Sequence, residues 1–262
     1  MKNVIFIKYG GSIITDKSSA TSVSRDTIRK LNKQLQYLTS QSAFSFILGN
    51  GGGSFGHYFA EKYQLYDGKL NFNTFYGICE GKNGNNYLNG LVIKDLLKRG
   101  IPACSVRISM PYILCDCVKS WEEVFLYLES AIIPVLYGDI LLISNMQYKI
   151  ISTEQVFCDL AQYLSKYKRQ EYHIKKFILC TSTNGVLDEN GENIPIISVD
   201  FKDSSIFWHK KKEYDVTGGM REKVEKSLKL ASLAPVQIID GRQKNAIIKA
   251  VNDEHIGTII KA

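Results

Sequence analysis

Val4-Ile5-Phe6-Ile7-Lys8-Tyr9-Gly10-Gly11-Ser12 opens the chain with an apolar, β-prone run, a lysine and a glycine pair. A short continuous apolar run ending in a turn signal is the pattern of a strand buried on both faces. Glycines directly after such a strand let backbone N–H groups approach a ligand closely, and N–H groups in a tight loop form a nest for an anion. Lys8, at the strand end, adds a fixed positive charge to the same space. The stretch predicts a buried strand with an anion-binding loop at its carboxyl end.

Further runs of the same kind are Phe44–Leu48, Ala103–Val106, Ile132–Leu136, Phe177–Cys180 and Val236–Ile239. Between them, apolar residues recur at helical spacing: Ile28, Leu31, Leu35 and Leu38; Val156, Leu160, Ala161 and Leu164; Met220, Val224, Leu228 and Ala231. Ser24 and Asp26 are candidate caps before the first of these stripes. Such alternation predicts an α/β fold with a mostly parallel central sheet covered by helices on both faces. Ile140–Ser144 and Tyr148–Ile151 flank Asn145-Met146-Gln147 and read as a β-hairpin. With no low-complexity linker and no internal repeat, residues 1–262 read as one domain, divisible near 165–175 into two lobes that share one sheet.

The chain has 262 residues, 45% hydrophobic and 23% charged, which excludes intrinsic disorder. Its 33 Lys plus Arg exceed its 26 Asp plus Glu by 7, a surplus spread along the chain that reads as a solvated basic surface or, more sharply, as lysines facing an anionic, phosphate-bearing substrate. No basic stripe interleaved with aromatics and no nucleic-acid motif is present, so no nucleic-acid partner is expected. The six cysteines form no Cys-x-x-Cys pair and the four histidines lack metal spacing, while Cys115-Asp116-Cys117 alone offers too few ligands for zinc. These are the marks of reduced core thiols and no structural metal. Met1-Lys2-Asn3-Val4 runs straight into a strand instead of a signal segment, and no apolar stretch approaches about 18 residues, so a cytoplasmic protein without a membrane partner is expected.

A second glycine cluster, Gly49-Asn50-Gly51-Gly52-Gly53-Ser54-Phe55-Gly56-His57, follows the second strand. Gly51, Gly53 and Gly56 match G-x-G-x-x-G as letters, but a dinucleotide unit also needs a strand ending in an acid roughly 20 positions on. Asn71–Glu80 is aromatic and glycine-interrupted instead, and no G-x-x-x-x-G-K-[ST] occurs. A third cluster, Asp215-Val216-Thr217-Gly218-Gly219-Met220-Arg221-Glu222-Lys223, opens a helix, whose N-terminal N–H groups suit an anion. Lys223 near that start opposes the helix dipole, a placement that a bound anion would relieve. Three glycine loops, each accompanied by a lysine, belong together in a phosphoryl-transfer site.

Lys8–Ser12, Thr15–Lys17, Gly51–His57, Gly138-Asp139 and Asp215–Lys223 resemble, in order and spacing, the isopentenyl phosphate kinases of the amino acid kinase superfamily. The Gly-Gly-Gly-x-Phe-Gly-His element at 51–57 is the most specific part, and its histidine is shared with the related fosfomycin kinases. The resemblance implies an αβα three-layer sandwich, with an acceptor lobe over about 1–170 and a nucleotide lobe over about 171–262. It implies ATP and Mg²⁺ as cofactors, a small phosphorylated substrate and a homodimer. Carried over by motif, Lys8, Lys17 and Lys223 contact the transferring phosphate, His57 hydrogen-bonds the acceptor phosphate and Asp139 orients the lysines. ATP falls to Lys8, Gly10, Gly11, Ser12, Thr181, Ser182, Gly185, Asp215, Gly218, Gly219 and Lys223. The acceptor falls to Gly52, Gly53, Gly56, His57, Phe75, Tyr76 and Gly138, and no side chain is assigned as a metal ligand.

The chain departs from that pattern at several points. Thr181-Ser182-Thr183-Asn184-Gly185-Val186 stands where members tend to have Thr-Asp-x-Asp-Gly-Val, and Ser152-Thr153-Glu154-Gln155 where a Ser-Gly-Asp-Asp run is usual. Tyr9 and Asn50 replace an aliphatic residue and a histidine. Gly77, Gly81, Gly84 and Gly90 interrupt the segment expected to form a helix over the acceptor tail, each costing roughly 1 kcal/mol relative to Ala. Tyr58, Phe59, Phe72, Phe75, Tyr76 and Ile78 are the apolar candidates for packing that tail. The leading expectation is an ATP-dependent kinase of a phosphate monoester, isopentenyl phosphate first. A kinase of a phosphonate such as fosfomycin or of another small phosphorylated metabolite, and a non-catalytic ligand sensor on the same fold, are the other readings.

Overall fold

Strand β1 (Lys2–Tyr9) lies inside an eight-stranded sheet, as its apolar run requires. The structure is a computed structural model that describes residues 1–16, 21–41, 43–66, 68–108, 121–144, 147–198 and 219–262. Lys17, Cys115, Cys117, Asp215 and Gly218 lie outside the described residues. On one side of β1 come β4 (Ser45–Asn50), β6 (Ile133–Tyr137) and β5 (Ala103–Ser105); on the other come β9 (Tyr172–Thr181), β11 (Val236–Asp240), β12 (Thr258–Lys261) and β10 (Ile196–Ser198). All neighbours pair in parallel except β11 with β12. Two small antiparallel pairs stand apart: β2 (Thr15–Asp16) with β3 (Ser22–Val23), and the expected hairpin of β7 (Asp139–Ser144) with β8 (Gln147–Ile151).

Alternation along β1 builds the layers, because successive side chains of a strand point to opposite faces. Val4 and Phe6 join the core beneath α5 (Glu122–Glu129), α6 (Thr153–Tyr163) and α7 (Gly219–Ala231). Ile5, Ile7 and Tyr9 join the opposite core beneath α1 (Gly11–Ile14), α2 (Arg25–Gln41), α4 (Phe72–Lys98) and α8 (Ala246–Val251). The result is the expected αβα sandwich. The stripe Ile28, Leu31, Leu35 and Leu38 is the buried face of α2. Among the described residues no helix is long and apolar enough to cross a membrane.

Helix α4 is one unbroken element of 27 residues in spite of its glycines. Asn71 starts it with a capping box, its side chain accepting from Thr74 N–H while the Thr74 hydroxyl accepts from Asn71 N–H. The glycines match close contacts with α3 (Ser54–Lys62), the segment after it, and β7. A Cβ on Gly77 would lie 2.5 Å from Tyr63 Cβ, one on Gly81 2.8 Å from Ile140 and one on Gly84 3.0 Å from Phe59. Tertiary packing thus outweighs the weak helix propensity. Cys158 and Cys180 are the buried thiols expected of a reduced core, and burial pushes the Cys158 thiol up to about 11. Cys79 is exposed, because its position on α4 faces solvent.

Candidate active site

A cleft of about 350 Å³ opens at the carboxyl ends of β1, β4, β6 and β9. The chain passes from β1 to β4 on one side and from β9 to β11 on the other, so the order reverses between β1 and β9. Ligands of open α/β sheets bind at such a reversal. Gly10 N–H bonds to Cys180 O (2.9 Å) across it, which fixes the first glycine loop at the centre of the site.

The two glycine loops meet backbone to backbone. A Cβ on Gly11 would lie 2.2 Å from Gly53 N, and one on Gly51 would lie 2.8 Å from Gly11 N. Gly53 also has φ +54°, ψ −135°, a conformation closed to other residues, and it stands at the N-cap of α3. Thr15 fastens the junction: its hydroxyl donates to Gly11 O (2.7 Å) and accepts from Ser54 N–H (3.0 Å). His57 follows on the same helix, half-buried and lining the cleft, with its backbone N–H on Gly53 O (3.2 Å).

Charge in the cleft is paired. The Lys8 ammonium donates to the Glu154 carboxylate at the start of α6, and both side chains are buried. Burial alone would push the Glu154 carboxyl up, but the charges of Lys8 and Lys223 outweigh it and hold the group at about 2. Lys226, one turn after Lys223 on α7, contacts Glu222 (2.7 Å) and donates to the Ser152 hydroxyl (2.9 Å). Lys82 of α4 binds Asp139 (2.5 Å) and Ile140 O (2.9 Å). Glu154 and Glu222 thus hold ammonium groups that line the cleft, and Asp139 holds one that flanks it.

Lys8, His57, Asp139 and Lys223 all line the cleft, as do Gly10, Gly11, Ser12, Gly52, Gly53, Gly56, Gly138, Thr181 and Ser182. Gly219 opens α7, just before cleft-lining Met220. Three expectations change. The acid that holds Lys8 is Glu154, while Asp139 holds Lys82, because the start of α6 faces the end of β1 and Asp139 faces α4. Phe75 and Tyr76 lie outside the cleft, 47% and 56% exposed, because α4 turns Thr74, Gly77, Ile78 and Gly81 inward. Gly185 also lies outside it, packed against Asn193 and Thr258 at φ +97°.

The apolar end of the cleft is lined by Ala60, Ile140 and Ile150 in place of those aromatics. Glu154, Lys82, Lys226 and Asn85 also line the cleft or flank it, and motif reading did not assign them to the site. Glu154 alone carried a signal, standing at the Asp position of the Ser-Gly-Asp-Asp pattern. Among the described residues no group of three or more His, Cys, Asp or Glu is placed to hold a metal ion.

Residues 3–240 match the amino acid kinase family, and the chain belongs to it. Within that family its likeness runs to the isopentenyl phosphate kinases. The enzyme of that name from Methanocaldococcus jannaschii is 28% identical, over 97% of this chain and 97% of its own length. The one from Methanothermobacter thermautotrophicus is 30% identical, over 87% of each chain. Solved structures agree in fold. A substrate complex of isopentenyl phosphate kinase superposes with a TM-score of 0.77 at 23% identity, covering 98% of this chain and 100% of that one. A product complex of the T. acidophilum enzyme gives 0.77 at 24%, covering 100% of both.

Proposed function

We propose that the protein phosphorylates isopentenyl phosphate with ATP, forming isopentenyl diphosphate and ADP. An oxygen of the acceptor phosphate forms a bond to the γ-phosphorus while the bond from that phosphorus to the β–γ bridging oxygen breaks. The observation that carries this reading is one cleft lined by paired glycine loops, by Lys8 and Lys223, and by Ala60, Ile140 and Ile150, which pack together in one small apolar cluster. The relatives named isopentenyl phosphate kinase support the choice of acceptor.

ATP and a phosphomonoester together bring about six negative charges, and their repulsion is the main obstacle. Phosphoryl transfer needs in-line positioning and charge neutralisation more than covalent chemistry. The acceptor is already an anion, so no strong general base is needed, and His57 acts as a hydrogen-bond donor to its phosphate. Lys8 and Lys223 sit on the path of the transferring group, and Glu154 keeps Lys8 in place before the ligands arrive. Among the described residues each cleft acid is matched to a lysine, so that donor set suits a Mg²⁺ carried on nucleotide oxygens more than one caged by the protein. That ion would add charge neutralisation at the phosphates. The family resemblance supports one domain with an acceptor lobe and a nucleotide lobe, working as a cytoplasmic homodimer.

The test is kcat/KM for isopentenyl phosphate against methyl phosphate, fosfomycin and a polar phosphomonoester of similar size. An apolar tail gains about 0.8 kcal/mol per buried CH₂, so isopentenyl phosphate should win by one to a few hundredfold. Preference for the polar ester would overturn the acceptor, and binding without ADP formation would overturn the enzyme reading in favour of a sensor.

A further inference from the structure

We propose that Asn85 of α4, backed by Asn89, is a positioning residue for the acceptor-phosphate loop, tying Gly51–Gly53 to the Gly138 turn and so setting where the acceptor phosphate rests. The proposal rests on the kinase reading above. Asn85 and Asn89 lie one turn apart on the inner face of α4, 7% and 1% exposed. Asn89 Nδ2 donates to Asn50 Oδ1 (2.9 Å), and Asn50 is the residue directly before the loop. The Asn50 carbonyl accepts from the Thr153 hydroxyl (2.8 Å), which in turn accepts from Gly138 N–H (3.0 Å). The Gly138 carbonyl accepts from Asn85 Nδ2 (3.2 Å). These bonds run from α4 through the end of β4, the start of α6 and the β6–β7 turn, and back to α4. The residue after Thr153 is Glu154, which holds Lys8, so the same chain of contacts reaches the catalytic lysine.

Only half of each amide is used. Asn85 Oδ1 and Asn89 Oδ1 are buried without a hydrogen-bond partner. A buried acceptor without a donor is costly, but an apolar residue of the same shape would also remove the Nδ2 donors and orphan the Gly138 carbonyl and Asn50 Oδ1. The two asparagines are therefore held by what they bond on the loop and the turn, not by apolar packing. Asn85 lines the cleft, and its Oδ1 lies 2.6 Å from where a Cβ on Gly52 would sit and 3.8 Å from one on Gly56. The amide is wedged between the loop that cradles the acceptor phosphate and the turn across the cleft from it. Gly52 must lack a side chain for the wedge to seat.

The test uses full-length Asn85→Leu, Asn85→Asp and Asn89→Leu, with KM measured separately for acceptor and ATP alongside thermal unfolding. Asn85→Leu should raise the acceptor KM by about tenfold or more and leave the ATP KM within about twofold, with a modest fall in Tm because the Gly138 carbonyl loses its donor. Asn85→Asp sets an acceptor against the Gly138 carbonyl and should raise the acceptor KM at least as much; Asn89→Leu should do so more weakly. An unchanged acceptor KM in a folded Asn85 variant overturns the proposal. So does a rise of both KM values to a similar extent, or failure of both Asn85 variants to fold, since each assigns Asn85 to the core alone. If wild type prefers another phosphomonoester, the substrate reading falls, and the same KM comparison is made with that ester.

Discussion

Lys8 of β1 and Glu154 of α6, 146 positions apart in the chain, meet as a buried ion pair inside the cleft. The pair sets the lysine in place before any phosphate is bound. Removing one partner of a buried pair leaves an uncompensated charge, a loss of about 3–5 kcal/mol.

Glu154 therefore makes stability depend on pH. Its folded-state value of about 2 lies below the ordinary 4.5, so its contribution is fully present above about 4.5 and is lost as pH falls toward 2. Glu154→Gln should be less stable than wild type near neutral pH, with the gap closing below about pH 4. Urea unfolding across that range measures the gap, and a gap independent of pH would contradict the assignment.

Lys8→Ala and Lys223→Ala should each lower kcat by about 10²-fold or more, comparable with losing a preorganised charge donor. Near-normal kcat in either variant would remove that lysine from the phosphate path.

His57 should matter through acceptor binding more than through proton transfer, since the acceptor needs no deprotonation. His57→Gln keeps a donor and should retain much more activity than His57→Ala. Equal and complete loss in both would indicate a protonation role.

Within α4, the glycines should separate. Gly90 is exposed with nothing within 4 Å of a Cβ built on it, so Gly90→Ala should stabilise by about 0.5–1 kcal/mol. Gly77→Ala meets Tyr63 and should destabilise. Thermal unfolding of the two variants, shifting in the same direction, would refute the account of how α3 packs on α4.

At the apolar end, Ala60→Leu should fill space meant for a substrate tail. Its kcat/KM should fall for isopentenyl phosphate and hold for methyl phosphate. An equal fall for both would place the tail elsewhere.

The six sheet strands read from apolar runs all formed, as did the hairpin at 139–151, because each announces itself over a few adjacent residues. β10 and β12 escaped notice: Ile196–Ser198 and Thr258–Lys261 are too short to stand out, and the sheet edge recruits them. The glycine loops at Gly10–Gly11 and Gly51–Gly53, with Lys8 and His57, were legible for the same local reason. Phe75 and Tyr76 misled, since their nearness to His57 in sequence says nothing of which way α4 turns.

The chain by itself determined the layered α/β fold, the strand-end glycine loops and the kind of ligand they suit, all through patterns spanning a turn of helix or a few residues of strand. Only the tertiary structure decided that Glu154 rather than Asp139 holds Lys8, that Gly77, Gly81 and Gly84 permit a close helix contact instead of breaking a helix, and that Ala60, Ile140 and Ile150 close the apolar end. Pairing, close approach and pocket lining are contacts between distant parts of the chain, and no local pattern encodes them.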